Sequence, residues 1–212
     1  MKFRDRADAG DALAEKLAQN GYNSNAVVLG VPRGGVVLAD IVAKRLGAEF
    51  DIVIPRKMGA PDNEELAIGA VMEDGTSYIN KYLVNALRIP REYIENEKAR
   101  QAAEIQRRMA AYRKPVNYNF AGKKAILVDD GIATGATIIA SARWLKKHNP
   151  AAVVIAVPVA PPQSVEFLEQ EADSVVVLHT PRDFASVGQF YEEFHPVSDE
   201  QVTQVMRARG LL

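Results

Sequence analysis

The chain predicts an α/β fold built on an open parallel sheet. Three observations carry that prediction. Short, almost wholly apolar runs recur at 26–31, 50–55, 125–128 and 151–159, as expected for strands covered on both faces. Stretches with apolar residues at helical spacing follow the runs at 26–31 and 125–128. Each of these two runs also ends in a glycine-bearing turn that opens the helix, where open α/β sheets bind their ligands.

In chain order, residues 5–19 read as a helix, with Leu13 and Leu17 four apart and Asn20-Gly21 as a stop. Ala26 to Val31 is a buried strand, Pro32-Arg33-Gly34-Gly35 a turn, and the next helix runs through Leu46-Gly47. Phe50 to Pro55 is the following strand, which completes a right-handed βαβ unit. Residues 56–65 read as a polar loop led by Arg56 and Lys57. Leu66 to Met72 and Thr76 to Ile79 read as a hairpin around Glu73-Asp74-Gly75. Pro90 to Arg113 is one long helix of mixed charge, with Glu104 and Arg108 paired at i,i+4. Its patchy apolar face suggests an excursion from the core, packed on its own domain or on a second subunit of a homo-oligomer. After the strand at 151–159, a helix starts at Pro161-Pro162, and Ser174 to Leu178 is the last parallel strand. Residues 180–196 are irregular and aromatic, and Ser198-Asp199-Glu200-Gln201 is a capping box for a terminal helix.

Composition narrows the function. The length of 212 residues fits a single α/β domain, 1–212, with additions, including a helical insertion at about 80–114. A net charge of −1 argues against a general nucleic-acid binder. There is no cysteine, hence no disulfide framework and no thiolate chemistry. Residues 1–6 lack a signal-type apolar region, and the run from Ala151 to Ala160 is too short for a membrane, so a cytoplasmic location is expected. No His/Asp/Glu spacing points to a fixed metal site.

The most informative stretch is Val128-Asp129-Asp130-Gly131-Ile132-Ala133-Thr134-Gly135-Ala136-Thr137. Two adjacent acids after a buried strand repel each other, with no structural return. Gly131 and Gly135 permit close backbone approach, and the amides of Thr134 to Thr137 can converge on an anion at the start of a helix. A phosphate in the loop and sugar hydroxyls on the two acids satisfy the whole arrangement. No GxxxxGK[ST] or GxGxxG motif occurs in the chain.

This stretch resembles the phosphoribosyl-pyrophosphate (PRPP) motif of type I phosphoribosyltransferases. The resemblance covers roughly residues 25–180. It implies helices on both faces of the sheet and a small hood over its carboxyl edge, here the C-terminal segment at about 180–212. It implies transfer of ribose 5-phosphate from PRPP to a nitrogenous base, with pyrophosphate released and Mg²⁺ delivered with PRPP. In this reading Gly131, Ala133, Thr134, Gly135, Ala136 and Thr137 hold the 5-phosphate. Asp129, Asp130 and Lys57 are catalytic, and Arg33, Gly34, Gly35 and Arg56 hold pyrophosphate. Residues 57–66, which resemble the start of the flexible loop in orotate and adenine enzymes, become a closing lid. Ala133 stands where hypoxanthine-guanine enzymes carry an acid. Together with Arg56-Lys57-x-Gly59-x-Pro61, it points toward the adenine type, with Glu64 or Glu65 as the acid/base group. The aromatic residues Phe184, Phe190, Tyr191 and Phe194 either stack a base or cover the sheet, while His179 and His195 read as structural. The alternative is a non-catalytic PRPP-sensing regulator on the same fold.

Overall fold

The computed structural model describes residues 1–115 and 117–212. In chain order its elements are α1 (Arg6–Gln19), β1 (Ala26–Gly30), α2 (Gly34–Leu46), β2 (Glu49–Ile52), β3 (Arg56–Ala60) and β4 (Asn63–Val71). β5 (Ser77–Ile79), α3 (Lys81–Ala86), α4 (Arg91–Tyr112), β6 (Lys124–Val128) and α5 (Ala136–Lys147) follow. β7 (Ala152–Val159), α6 (Pro162–Glu169), β8 (Ser174–His179) and α7 (Asp199–Ala208) complete the chain.

The main sheet is wholly parallel, in the order β2-β1-β6-β7-β8. Its residues alternate between two cores, as the period of a strand requires. Val28, Ile126, Val128, Val154 and Ala156 face one core, with Leu13 and Leu17 of α1 and Leu38 and Val42 of α2. Leu29, Leu127, Ile155 and Val157 face the other, with Ile138, Trp144 and Leu145 of α5 and Leu168 of α6. Helices thus cover both faces, and burial on both faces explains why these strands read as continuous apolar runs.

The connections position the site. From β1 the chain leaves through α2 to β2, and from β6 it leaves through α5 to β7, the neighbour on the other side. β1 and β6 are adjacent, so the two crossovers diverge between them and open a crevice at their carboxyl ends.

The structure refines the sequence expectations outside the main sheet. Residues 56–65 are not a free loop. β3 pairs antiparallel with β4, placing Lys57 opposite Ala70 and Met58 opposite Gly69. The polar look of 61–65 hid two anchors, Met58 and Ala60, which are buried. The β4–β5 pairing expected around Glu73–Gly75 is present, so the three strands form a second, antiparallel sheet. The helix α3, capped by the Asn80 side chain on the Leu83 amide, lies within the helical stretch expected at about 80–114 but as a separate helix ahead of Pro90. Finally, of the two placements expected for it, α4 takes the one on its own domain. It packs on β3, β4 and α7 through Ile94, Ile105 and Tyr112, with Glu97 and Gln101 also buried. Its Glu104–Arg108 pair forms as read, at 2.9 Å. At its C-terminal end Arg113 is clamped by Asp51 of β2, Nε to Oδ1 at 2.8 Å and Nη2 to Oδ2 at 2.7 Å.

Among the described residues no helix is long and apolar enough to cross a membrane.

Candidate active site

The amide of Val31 donates to the Val128 carbonyl (3.0 Å), extending the β1–β6 pairing one step beyond the strands. That step sets the turn Pro32–Gly35 directly against Asp129 and Asp130. The contact is too close for side chains. A Cβ on Gly35 would lie 2.7 Å from the Val128 carbonyl oxygen and 2.8 Å from the Asp129 Cα. One on Gly34 would lie 1.9 Å from Asp130 Oδ2. The Pro32–Arg33 peptide is cis.

The two acids differ in their surroundings. Asp129 Oδ1 accepts the Asp130 amide (2.9 Å). Burial pushes the Asp129 carboxyl well above its ordinary range, and the neighbouring Asp130 charge adds to this, while Lys57 and Arg6 oppose it. Asp130 is raised by burial against the pull of Arg6. Arg6, the first residue of α1, places Nε and Nη2 each 2.8 Å from Asp130 Oδ2. The Tyr191 hydroxyl donates to the Asp130 carbonyl oxygen at 2.6 Å.

Beyond the acids, the loop 131–135 is pinned from three sides. A Cβ on Gly131 would meet Val187 Cγ1 at 2.5 Å, so glycine is what lets the hood lie on the loop. The Ile132 amide donates to Val159, and the Ser164 hydroxyl of α6 donates to the Ala133 carbonyl (2.5 Å). Gly135 then turns the chain into α5 with φ of 76°, a left-handed conformation that favours glycine. The first-turn amides of α5 have no intrahelical carbonyl to pair with, and that turn carries no acid. Partial positive charge is therefore concentrated there. Asp129, Asp130, Thr134, Thr137, Lys57 and Phe194 are among the walls of the resulting cleft, of about 310 Å³.

A second cleft of about 340 Å³ adjoins it at Lys57 and Thr137 and contains Arg56, Glu64, Glu65 and Arg100. Arg56 turns toward α4, donating from Nε to Gln101 Oε1 (2.9 Å). Burial, then the charge of Arg108, push its guanidinium down from the ordinary range. Glu64 reaches Arg100 at 3.3 Å. Arg33 lines neither cleft; its guanidinium lies 3.6 Å from Asp199 of α7. The structure thus brings Asp129, Asp130, Gly34, Gly35, Lys57 and the loop 131–137 together. Arg56, Glu64 and Glu65 stand in the adjoining cleft, and the Arg33 side chain stands apart. His179 packs its ring edge on Phe190, and His195 offers only its carbonyl, to Arg6. Sequence reasoning missed Arg6 and Tyr191 as neighbours of the acids. No local pattern marks them, because they lie 124 and 61 residues from Asp130.

Comparison with known proteins places the chain in one family. The family model for the phosphoribosyl transferase domain matches residues 3–193. A Mycobacterium tuberculosis protein, found in strains CDC 1551 and H37Rv, is 42% identical over 201 residues, and its name places it among the phosphoribosyl transferases. The match covers 94% of this chain and 45% of that protein, so the chain spans about half the length of the curated relatives it matches. The crystal structure of TT1426 from Thermus thermophilus is 46% identical, covers 97% of this chain and 98% of its own, and superposes with a TM-score of 0.81. With a family model that matches residues 3–193 of its 212, this chain belongs to the phosphoribosyl transferase domain family.

Proposed function

We propose that this chain transfers ribose 5-phosphate from PRPP to a nitrogenous base and releases pyrophosphate. One observation carries the reading: at a single switch point, two adjacent carboxylates face a glycine turn on one side and the amide-rich start of α5 on the other. The amides from Gly135 to Thr137 hold the 5-phosphate. Asp129 and Asp130 hold the ribose hydroxyls. As the C1–O bond to pyrophosphate breaks, positive charge develops on the sugar, and the two carboxylates offset it. The nitrogen lone pair of the acceptor forms the new C1–N bond. Lys57, at the junction of the two clefts, faces the departing pyrophosphate, with Arg56 behind it and the backbone of Gly34 and Gly35 opposite.

Mg²⁺ belongs to this reading as an ion carried by PRPP, where it neutralises leaving-group charge. The donor set fits that role. Asp129 and Asp130 would meet the ribose hydroxyls beside such a substrate-borne cation. Ala133 can exchange no proton with the acceptor, so an adenine-type acceptor fits better than a 6-oxopurine. Glu64 and Glu65, among the acids that line the adjoining cleft, are the candidate acid/base groups of this reading.

Mg²⁺-PRPP should raise the melting temperature, by about 2.7 kcal/mol of stability at a hundredfold excess over Kd, and ribose 5-phosphate should raise it less. A nucleobase panel with labelled PRPP, read by mass spectrometry, then identifies the acceptor. No shift with millimolar PRPP overturns the assignment. Binding with no turnover on any base instead marks a PRPP-sensing regulator.

A further inference from the structure

We propose that Arg6 is a positioning residue for the sugar site: it orients Asp130 and locks the hood segment onto the PRPP loop. The proposal rests on the transferase reading for its kinetic arm alone.

Arg6 spends its whole guanidinium on three groups. Nε and Nη2 converge on one oxygen of Asp130, Oδ2, at 2.8 Å each. Nη1 donates to the His195 carbonyl at 2.6 Å. Its face lies over the Phe194 ring, 4.0 Å from the centroid. The side chain is 12% exposed, and no other cation of the described residues is ion-paired with either acid. Asp130 Oδ1 receives no hydrogen bond from any described residue, so the clamp leaves that oxygen available to a ribose hydroxyl. A planar fork that spans carboxylate, carbonyl and ring at once is a task lysine cannot reproduce.

The segment on the other side of Arg6 is built into the same tie. Phe3 donates to the Phe190 carbonyl, and the amides of Glu192 and Glu193 donate to Phe3 and Arg4, each at 2.8 Å. Residues 3–4 thus run beside the hood, and Phe3 packs on Tyr191. Tyr191 stacks on Phe194 and holds the Asp130 carbonyl. Residues Val187 and Phe194 of the hood line the cleft. Movement of the hood and reorientation of Asp130 therefore share one guanidinium, and a hood in place means an acid in place.

The test uses the full chain with Arg6→Ala, Arg6→Lys and Asp130→Asn. In the ligand-free protein, amide hydrogen exchange over residues 186–195 should accelerate in all three variants. Unchanged exchange there in Asp130→Asn shows that the hood does not depend on the acid, and overturns the proposal whatever PRPP does. With PRPP turnover as the second readout, Arg6→Ala should raise KM for PRPP on the order of tenfold or more, the scale of a lost charged hydrogen bond. Arg6→Lys should recover little of it. A KM equal to wild type, or lower because Arg6 merely plugs the site, overturns the proposal. Absence of PRPP binding in the wild-type protein refutes the transferase reading instead, and leaves the exchange arm to decide on Arg6.

Discussion

Replacing Gly34 by alanine tests the packing of the site at one atom. The added methyl would lie 1.9 Å from Asp130 Oδ2, 2.6 Å from its Cγ and 3.0 Å from Arg6 Nε. A comfortable contact is about 3.5 Å, so the carboxylate has to retreat by roughly 1.5 Å. It cannot do so while Arg6 holds the same oxygen and Tyr191 holds the carbonyl. Overpacking of this kind costs about 1–3 kcal/mol. Alanine recovers at most about 1 kcal/mol through its better helix propensity, and less at the first position of a helix. Gly34 is that first position in α2, so a net loss remains. In a chain of this size each kcal/mol lowers the melting temperature by about 2–4 °C, so a fall of several degrees is expected. Calorimetric titration of the folded variant with Mg²⁺-PRPP should show weaker binding, because the displaced acid no longer meets the ribose. A Gly34→Ala protein that melts as high as wild type and binds PRPP as tightly would refute this account of how Asp130 is held.

Asp129→Asn should separate stability from turnover. Its carboxyl lies above the ordinary value of 3.8 in the folded protein, so the folded state holds its proton more tightly, and stability falls as pH rises from 3.8 through the raised value. The variant should therefore melt no lower than wild type at pH 7, with the difference growing from pH 4 upward. It should lose turnover by on the order of 1.5–3 kcal/mol of transition-state binding. A lower melting temperature at pH 7 would contradict it. Asp51→Ala removes the carboxylate that clamps the buried Arg113 and should cost on the order of 3 kcal/mol, read by urea denaturation. A loss under about 1 kcal/mol would show the pair to be idle. Lys57→Ala should slow turnover more than it weakens ribose 5-phosphate binding, since the contact proposed for Lys57 lies at the pyrophosphate end. Equal effects on both would place Lys57 elsewhere. Limited proteolysis should nick the exposed turn at Pro61-Asp62 and spare 57–60, which is paired with β4. Cleavage after Lys57 in the native protein would show the hairpin to be open.

What the sequence disclosed follows from the range of the forces involved. The main strands were legible because burial on both faces leaves continuous apolar runs, and the turn at 131–137 because its acids, glycines and threonines are consecutive in the sequence. β3 was not legible: Arg56 and Lys57 open it, Gly59 and Ala60 close it, and pairing with Ala67, Gly69 and Ala70 decides its conformation. α4 looked peripheral because two of its buried residues, Glu97 and Gln101, are polar and bind each other and Arg100. The Arg33 side chain was assigned by adjacency to the turn, but it follows the charge of Asp199, which arrives from the far end of the chain. The attachment of the segment around Phe194 through Arg6 was not legible, because it depends on a contact between the two ends of the sequence.

The pairing of β3 with β4 bears on how much order substrate binding must create. A lid that folds over its ligand loses about 1–2 kcal/mol of backbone entropy for every residue it fixes, at each turnover. Here the five residues of β3 are fixed when the chain folds, with Met58 buried and the Tyr93 hydroxyl bonded to the Gly59 carbonyl at 3.0 Å. The backbone that carries Lys57 has no such entropy left to lose. Capture of PRPP should then show a small heat-capacity change and an on-rate governed by encounter, with the slow structural step confined to the hood.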